Sequence, residues 1–289
     1  MTAVDLLVLS LLNGISVGAI LFLLGSGFSL VAGVMRIINL AHGALYMIGA
    51  YVGWTLAVQY GLDFPLAILA GGVGAGLVGL IIERGFLRRL YRQLNEQVLL
   101  TLGFVHILTN LSLWIWGPLA RVPFTAPFLS GSFHIAGLSY PIARISIIFI
   151  GLILAIGLWL LQDKTRYGAM VRAGMDDRQM TMGLGINLER VSAIVFFVGS
   201  FIAGVAGVIG AQLLGVNLSL SWEVLLLALI VVVVGGVGSV QGSLVGGLLI
   251  GLVDTFGKAL FPQFAMFTMY LAMIIILIVR PSGLLGRAM

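Results

Sequence analysis

Few residues in this chain could do chemistry, and those few stand in apolar surroundings. Asn39 and His42, in "RIINLAHGALYMIGAY" (36–51), are three apart and so share one helical face. Two roles fit them. His42 either bridges helices through a backbone carbonyl, or the pair faces a water-filled route, a usual setting for an ionisable group at membrane depth. Metal ligation does not fit, because His106 and His134 lie in other segments and no carboxylates cluster with them. Asp254 and Lys258 have the i, i+4 acid-before-base spacing of a structural ion pair. An enzyme would need a cluster such as paired His and Asp at helical spacing, and the sequence offers none. Two glycine patterns imitate nucleotide sites. "GAGLVG" (74–79) lies inside an apolar run with no strand before it. "GLVDTFGKA" (251–259) has a spacer one residue too long for a phosphate loop, and Ala259 where Ser or Thr must hold magnesium.

The elements that must position these residues follow from composition. Hydrophobic residues make up 61% of 289 and charged residues 9%, against about 25% charged in a soluble domain. With a mean hydropathy of +1.18, the chain is expected to lie almost wholly in a membrane. Its formal charge of +5 does not indicate nucleic acid, because the basic residues cluster at 84–92 and 164–190, as in the cytoplasmic loops of a polytopic protein. The absence of cysteine removes disulfides and thiolate metal sites and says nothing of compartment. "MTAVDLLVLSLLNG" has no Lys or Arg before its apolar run, so it is expected to be retained as the first span rather than cleaved as a signal peptide.

About 20 apolar residues are needed to cross the hydrocarbon. Runs of that order fall at 6–31, 37–60, 64–84, 97–117, 141–162, 191–215, 222–238, 243–261 and 264–280, with those at 37–60 and 222–238 interrupted or short. The expected fold is all-α and polytopic, one transmembrane domain over 1–289 with eight to nine helices and broken segments. Arg84, Arg88, Arg89 and Arg92 mark one cytoplasmic loop. Lys164, Arg166, Arg172, Arg178 and Arg190 mark another, and Arg280 and Arg287 a cytoplasmic C-terminus. The parity places 117–141 and the N-terminus outside, with Arg121 a mild exception and Trp222 and Glu223 at another outer loop. The longest polar segments, 117–141 and 163–190, leave no room for a soluble domain, so energy must come from an ion gradient or another subunit.

Gly14/Gly18, Gly72/Gly76, Gly242/Gly246 and Gly247/Gly251 are four apart, the spacing that lets helix backbones approach closely in lipid. "VVVVGGVGSVQGSLVGG" (231–247) is a poor continuous helix and predicts a break or tight turn. Broken helices in transporters present backbone groups to substrate. Asn39, His42, Gly43 and Tyr46 in the first interruption, with Gly235, Gly236, Gly238 and Ser239 in the second, are therefore the candidate lining of a translocation path. A weak likeness between "AHGALYMIGA" and "VQGSLVGGLL" hints at a two-fold internal repeat.

The loop at 163–190 is more than a connector. Asp176 or Asp177 can N-cap a short helix, "RQMTMGL" supplies a turn or two, and Gly185 can stop it in the left-handed conformation. Met180 and Met182 would be exposed on it as adaptable contacts. "YGAMVRAGMDDRQMTMGLGIN" resembles the cytoplasmic coupling loop of bacterial ABC importer permeases, and among them the branched-chain amino-acid (LivH-like) kind. "INLAHGALYMIGAY" (38–51), "GGVGSVQGSLVGGLLIG" (235–251) and "RPSGLLG" (280–286) match in the same order. The importer signature Glu-Ala-Ala-x-x-x-Gly falls on Gln179, Met180, Thr181 and Gly185, with only the glycine kept.

The resemblance implies the ABC importer permease fold and a non-catalytic subunit of the bacterial inner membrane. It implies a second homologous permease, two ATPase subunits docked at Asp176, Asp177, Gln179, Met180, Thr181 and Gly185, and a periplasmic substrate-binding protein. No cofactor is implied for this chain, since ATP binds the partner subunits. Branched-chain or related amino acids are the implied substrate. Urea, short amides or aromatic acids are the alternative, because the run before the double glycine is wholly aliphatic after Glu223. The rival class, an ion-coupled secondary transporter, would need membrane carboxylates, and only Asp254 could serve.

Overall fold

The computed structural model describes residues 3–35, 38–91, 93–135 and 138–286. Arg36 and Ile37 of the first interruption, and Arg92 and Arg287 among the basic markers, lie outside them. The chain folds as α1 (Ala3–Met35), α2 (His42–Trp54), α3 (Phe64–Gly85) and α4 (Leu94–Trp116). A hairpin of β1 (Ser132–Ile135) and β2 (Leu138–Pro141) follows. Then come α5 (Ile142–Lys164), α6 (Arg166–Asp176), α7 (Arg178–Gly183), α8 (Leu188–Leu214), α9 (Leu220–Gly235), α10 (Val240–Leu260) and α11 (Ala265–Val279). Six of these, α1, α3, α4, α5, α8 and α10, are long and apolar enough to cross a membrane. Two shorter apolar helices, α9 and Phe267–Val279 of α11, bring these to eight among the described residues, and the buried α2 stands beside them, in line with the expected eight to nine. α2 gains length from a π-turn at Thr55–Gln59, where Thr55 accepts a 2.8 Å hydrogen bond from the Trp116 indole.

Burial separates the helices into a centre and a rim. In α8 nineteen of 27 residues are buried, and α2 is buried along almost its whole length. In α4 the buried positions are Gln97, Thr101, Val105, Leu108 and Ser112, one stripe at helical spacing, and the remaining apolar face points outward. α5 repeats the pattern with Ala143, Ile147, Gly151, Ala155 and Leu158.

The spaced glycines make the closest contacts, as small residues do between membrane helices. α1 and α10 run antiparallel, with Gly14 facing Leu252, Gly18 facing Leu248 and Gly251, and Gly247 facing Phe22. Gly72 and Gly76 of α3 receive the rings of Phe201 and Phe197 of α8, and Gly242 and Gly246 pack on the end of α9. Asp254 and Lys258 form the expected ion pair at 2.6 Å.

The hairpin is the addition to an all-helical expectation. It pairs Ser132 with Pro141 and Ile135 with Leu138 inside the 117–141 segment. In the same segment Arg121 is held by its backbone to Val216, by its guanidinium to the Trp116 carbonyl at 2.7 Å, and over the Trp54 ring at 5.1 Å.

Candidate functional site

The first interruption is a tight entry into α2. The Asn39 side-chain oxygen accepts from the Ala41 N–H at 3.1 Å, a local turn of the kind Asn favours. The Leu40 N–H is taken by Thr101 of α4 at 3.3 Å. His42 Nε2 faces the Leu24 carbonyl of α1 at 3.0 Å, which requires the proton on that nitrogen, and the ring stands edge-on to Phe28. Gly43 packs on Ser221 and Leu225 of α9, and the Tyr46 hydroxyl lies against Gly210 of α8. Asn39, His42 and Tyr46 are all buried, and among the described residues neither Asn39 Nδ2 nor His42 Nδ1 has a hydrogen-bond partner. Native interiors leave few such atoms unpaired.

The second interruption is the α9–α10 turn. Gly236 and Gly238 take φ of +103° and +82°, values that L side chains rarely adopt. Ser239 caps α10, its side chain accepting from the Gly242 N–H at 2.8 Å, and its carbonyl accepts from the Ser29 hydroxyl of α1. A helix end leaves its last carbonyls without intrahelical donors, and here the missing donors come from "RPSGLLG". The Leu284 N–H reaches the Val234 carbonyl at 2.8 Å and the Leu285 N–H reaches Gly235 at 3.0 Å. Gly236 lies so close to Gly286 that a β-carbon on it would strike that backbone.

Among the described residues, no hydrogen bond or close glycine contact joins the two interruptions directly. Both rest on α1, the first at Leu24 and Phe28 and the second at Ser29 and Gly33.

In the 163–190 loop the cap is Asp177, whose side chain accepts from the Gln179 and Met180 N–H groups at 2.9 Å each. Asp176 instead ends α6. Gly185 has φ +81° and closes α7 with the paired bonds of a Schellman motif, Gly185 N–H to Met182 and Ile186 N–H to Thr181. Thr181 turns inward and bonds the Asp177 carbonyl at 2.6 Å. Met180 (68% exposed), Met182 and Leu184 (73%) project outward, with Gln179 exposed beside them.

Sequence reasoning missed three parts of this region. It expected one short helix and not α6, although Gly168, Val171 and Gly174, three apart, mark its buried face. It missed Leu184 as the most exposed apolar side chain of the loop. It also missed Met175, whose methyl group fills the space a β-carbon would take on both Gly33 of α1 and Gly238 of the α9–α10 turn. Through Met175 the loop touches the second interruption directly, a pairing of distant residues that carries no local signal. A polar cleft of about 240 Å³ opens there between Val34 and residues 174 and 176–179. An apolar one of about 130 Å³, lined by residues that include Leu30, Leu161, Val171 and Val195, lies where α6 packs on α1, α5 and α8. Among the described residues no group of three or more His, Cys, Asp or Glu could hold a metal.

A bundle of membrane-crossing helices with two interrupted segments, one of them in contact with Met175 of α6, the helix that leads into a short capped helix with outward apolar side chains, defines a membrane transport subunit of the permease class. The chain belongs to the family described as the permease component of the branched-chain amino acid transport system, whose model matches residues 10–279. It is 31% identical to the high-affinity branched-chain amino acid transport system permease protein BraD of Pseudomonas aeruginosa, over 96% of this chain and 95% of that one. It is 32% identical to LivH of Escherichia coli, a permease protein of the same description, over 95% and 94% of the two chains. Among solved structures it resembles PsaBC from Streptococcus pneumoniae in complex with Fab, with a TM-score of 0.52 and 12% identity over 93% of this chain and 88% of that one. The resemblance read from the four ordered motifs is thereby borne out, as is the all-α ABC importer permease fold.

Proposed function

We propose that this chain is the permease subunit of an ATP-driven importer of leucine, isoleucine and valine in the bacterial inner membrane. It would work beside a second, homologous permease, with two ATPase subunits on its cytoplasmic face and a periplasmic binding protein delivering substrate to the other. ATP is bound by the ATPases, and this chain contributes no catalytic group. The basic loops are cytoplasmic, the 117–141 hairpin segment and the N-terminus external.

The observation that carries this reading is α7. It is six residues long, capped at both ends, and presents Met180, Met182 and Leu184 to solvent. Apolar side chains are costly to display without a partner, and a helix too short to persist alone is here fixed by Asp177 and Gly185. ATPase closure on α7 would displace Met175, and with it the α9–α10 turn against α1. The path is assigned to the two interruptions, Asn39, His42, Gly43 and Tyr46 on one side of α1 and Gly235, Gly236, Gly238 and Ser239 on the other. What supports that assignment is their shared seat on α1 and the unpartnered polar atoms of Asn39 and His42. The residues assigned to it pack closely on α1, so alternating access would require these contacts to part.

The test is reconstitution of the full complex in proteoliposomes, with ATP hydrolysis and uptake followed for leucine, isoleucine, valine, urea, short amides and aromatic acids. Hydrolysis stimulated by the branched-chain amino acids is expected. Solute movement by this chain alone down an ion gradient would replace the reading with a secondary carrier.

A further inference from the structure

Glu83 ends α3 with a fully buried carboxylate, a group that is costly to keep in an apolar interior and that no function described so far uses. One of its oxygens accepts from the Tyr91 hydroxyl, and the other has no hydrogen-bond partner among the described residues. Tyr91 follows the 3-10 turn Leu87–Leu90 in the first basic loop. Burial, reinforced by the bond to Glu83, pushes the Tyr91 hydroxyl well above its ordinary titration range, so it stays protonated and donating. On its outer face the Tyr91 ring carries the guanidinium of Arg178, the first residue of α7, at 5.1 Å from the ring centre. A second tie between the same loops, Arg88 to Glu189, joins side chains about half exposed, and such pairs contribute little.

Beyond Glu83, α3 is bound tightly to the rest of the bundle. Gly79 meets Ser200 of α8, and Gly71 meets the Gly49 backbone of α2, the helix that begins at His42. Close-packed helices move as units rather than deforming continuously.

Building on the reading of α7 as the ATPase seat, we infer that Glu83 and Tyr91 are positioning residues that link Arg178 of α7 to α3. They form a second route by which ATPase movement reaches the membrane helices, separate from the contact of Met175 with Gly238. This route leads to α2 and the first interruption. The Met175 route leads to the second. The two interruptions would then be moved together by one helix.

The experiment is a coupling measurement on the reconstituted complex. Tyr91→Phe removes one oxygen and keeps the ring beneath Arg178, Glu83→Ala removes the acceptor, and Glu83→Gln preserves one. The ATPases are expected to co-purify with every variant and to hydrolyse ATP at the basal wild-type rate. Leucine imported per ATP should fall about tenfold in Tyr91→Phe and in Glu83→Ala, within the usual range of a coupling free energy. The double variant should be no worse than either single one, and Glu83→Gln should lie near wild type. Unchanged import per ATP, additive losses, or ATPases that no longer co-purify with Tyr91→Phe would each overturn the link. A wild-type complex without leucine-stimulated hydrolysis would overturn the importer reading itself, and this inference with it.

Discussion

At the residue scale, His42 shows how one side chain can answer two readings. It bridges α1 and α2 through the Leu24 carbonyl, the structural alternative open in the sequence, yet its second nitrogen is buried with no hydrogen-bond partner among the described residues. His42→Ala loses the bridge and the contact with Phe28, and is expected to lower stability by about 1–3 kcal/mol. Thermal unfolding of the purified chain in detergent would read that loss. If the interruption borders the path, uptake should fall in His42→Ala at equal membrane abundance, and His42→Gln, which retains a donor, should recover part of it. Full uptake in His42→Ala would leave the bridge as the whole role. The polar types of Asn39 and His42 were legible because polarity inside an apolar run is conspicuous, but their expected common helical face is not found, since Asn39 lies in the turn before α2, which begins at His42. Glu83 and Tyr91 were not, because their partner Arg178 lies far along the chain and only the fold brings them together.

At the element scale, α7 persists through its ends. Asp177→Ala removes the acceptor for two N–H groups and should cost about 0.5–2 kcal/mol of local helix stability. ATPase co-purification is expected to weaken, and Asp177→Ser should restore it. Gly185→Asp forces a side chain into φ +81° at a site with open space around it, so strain and charge, not collision, carry the effect. That variant should lose ATPase docking and uptake altogether. Leu284→Pro tests the end of α9. It deletes the N–H that satisfies the Val234 carbonyl, and the expected result is a protein that reaches the membrane but unfolds at lower temperature and imports poorly. The helices and both caps were legible from hydropathy, Asp and Gly. α6 was not, because its small buried residues resemble a connector, and neither was the hairpin, whose strands of four residues each fall below what alternation can establish.

At the scale of the whole molecule, the bundle divides into central helices held by glycine contacts and rim helices with a single buried stripe. That division was only partly readable. The glycine spacing gave the contact positions, but which helix each would meet depends on three-dimensional order. Orientation can be tested cleanly because the chain contains no cysteine. Ser139→Cys in the hairpin should react with a membrane-impermeant maleimide in intact spheroplasts. Met182→Cys on α7 should react only after the membrane is opened, and the reverse pattern would invert the proposed topology.

The dependence of α9 on residues 284 and 285 also has a consequence in time. The carbonyl of Val234 waits for the N–H of Leu284, which the ribosome adds 50 residues later (284 less 234). At about 5–20 residues per second that delay is roughly 3–10 s. Throughout it the nascent bundle holds a helix end with unmet carbonyls, so a chain cut short near its last helix differs from a finished one by a defect that surveillance proteases can recognise.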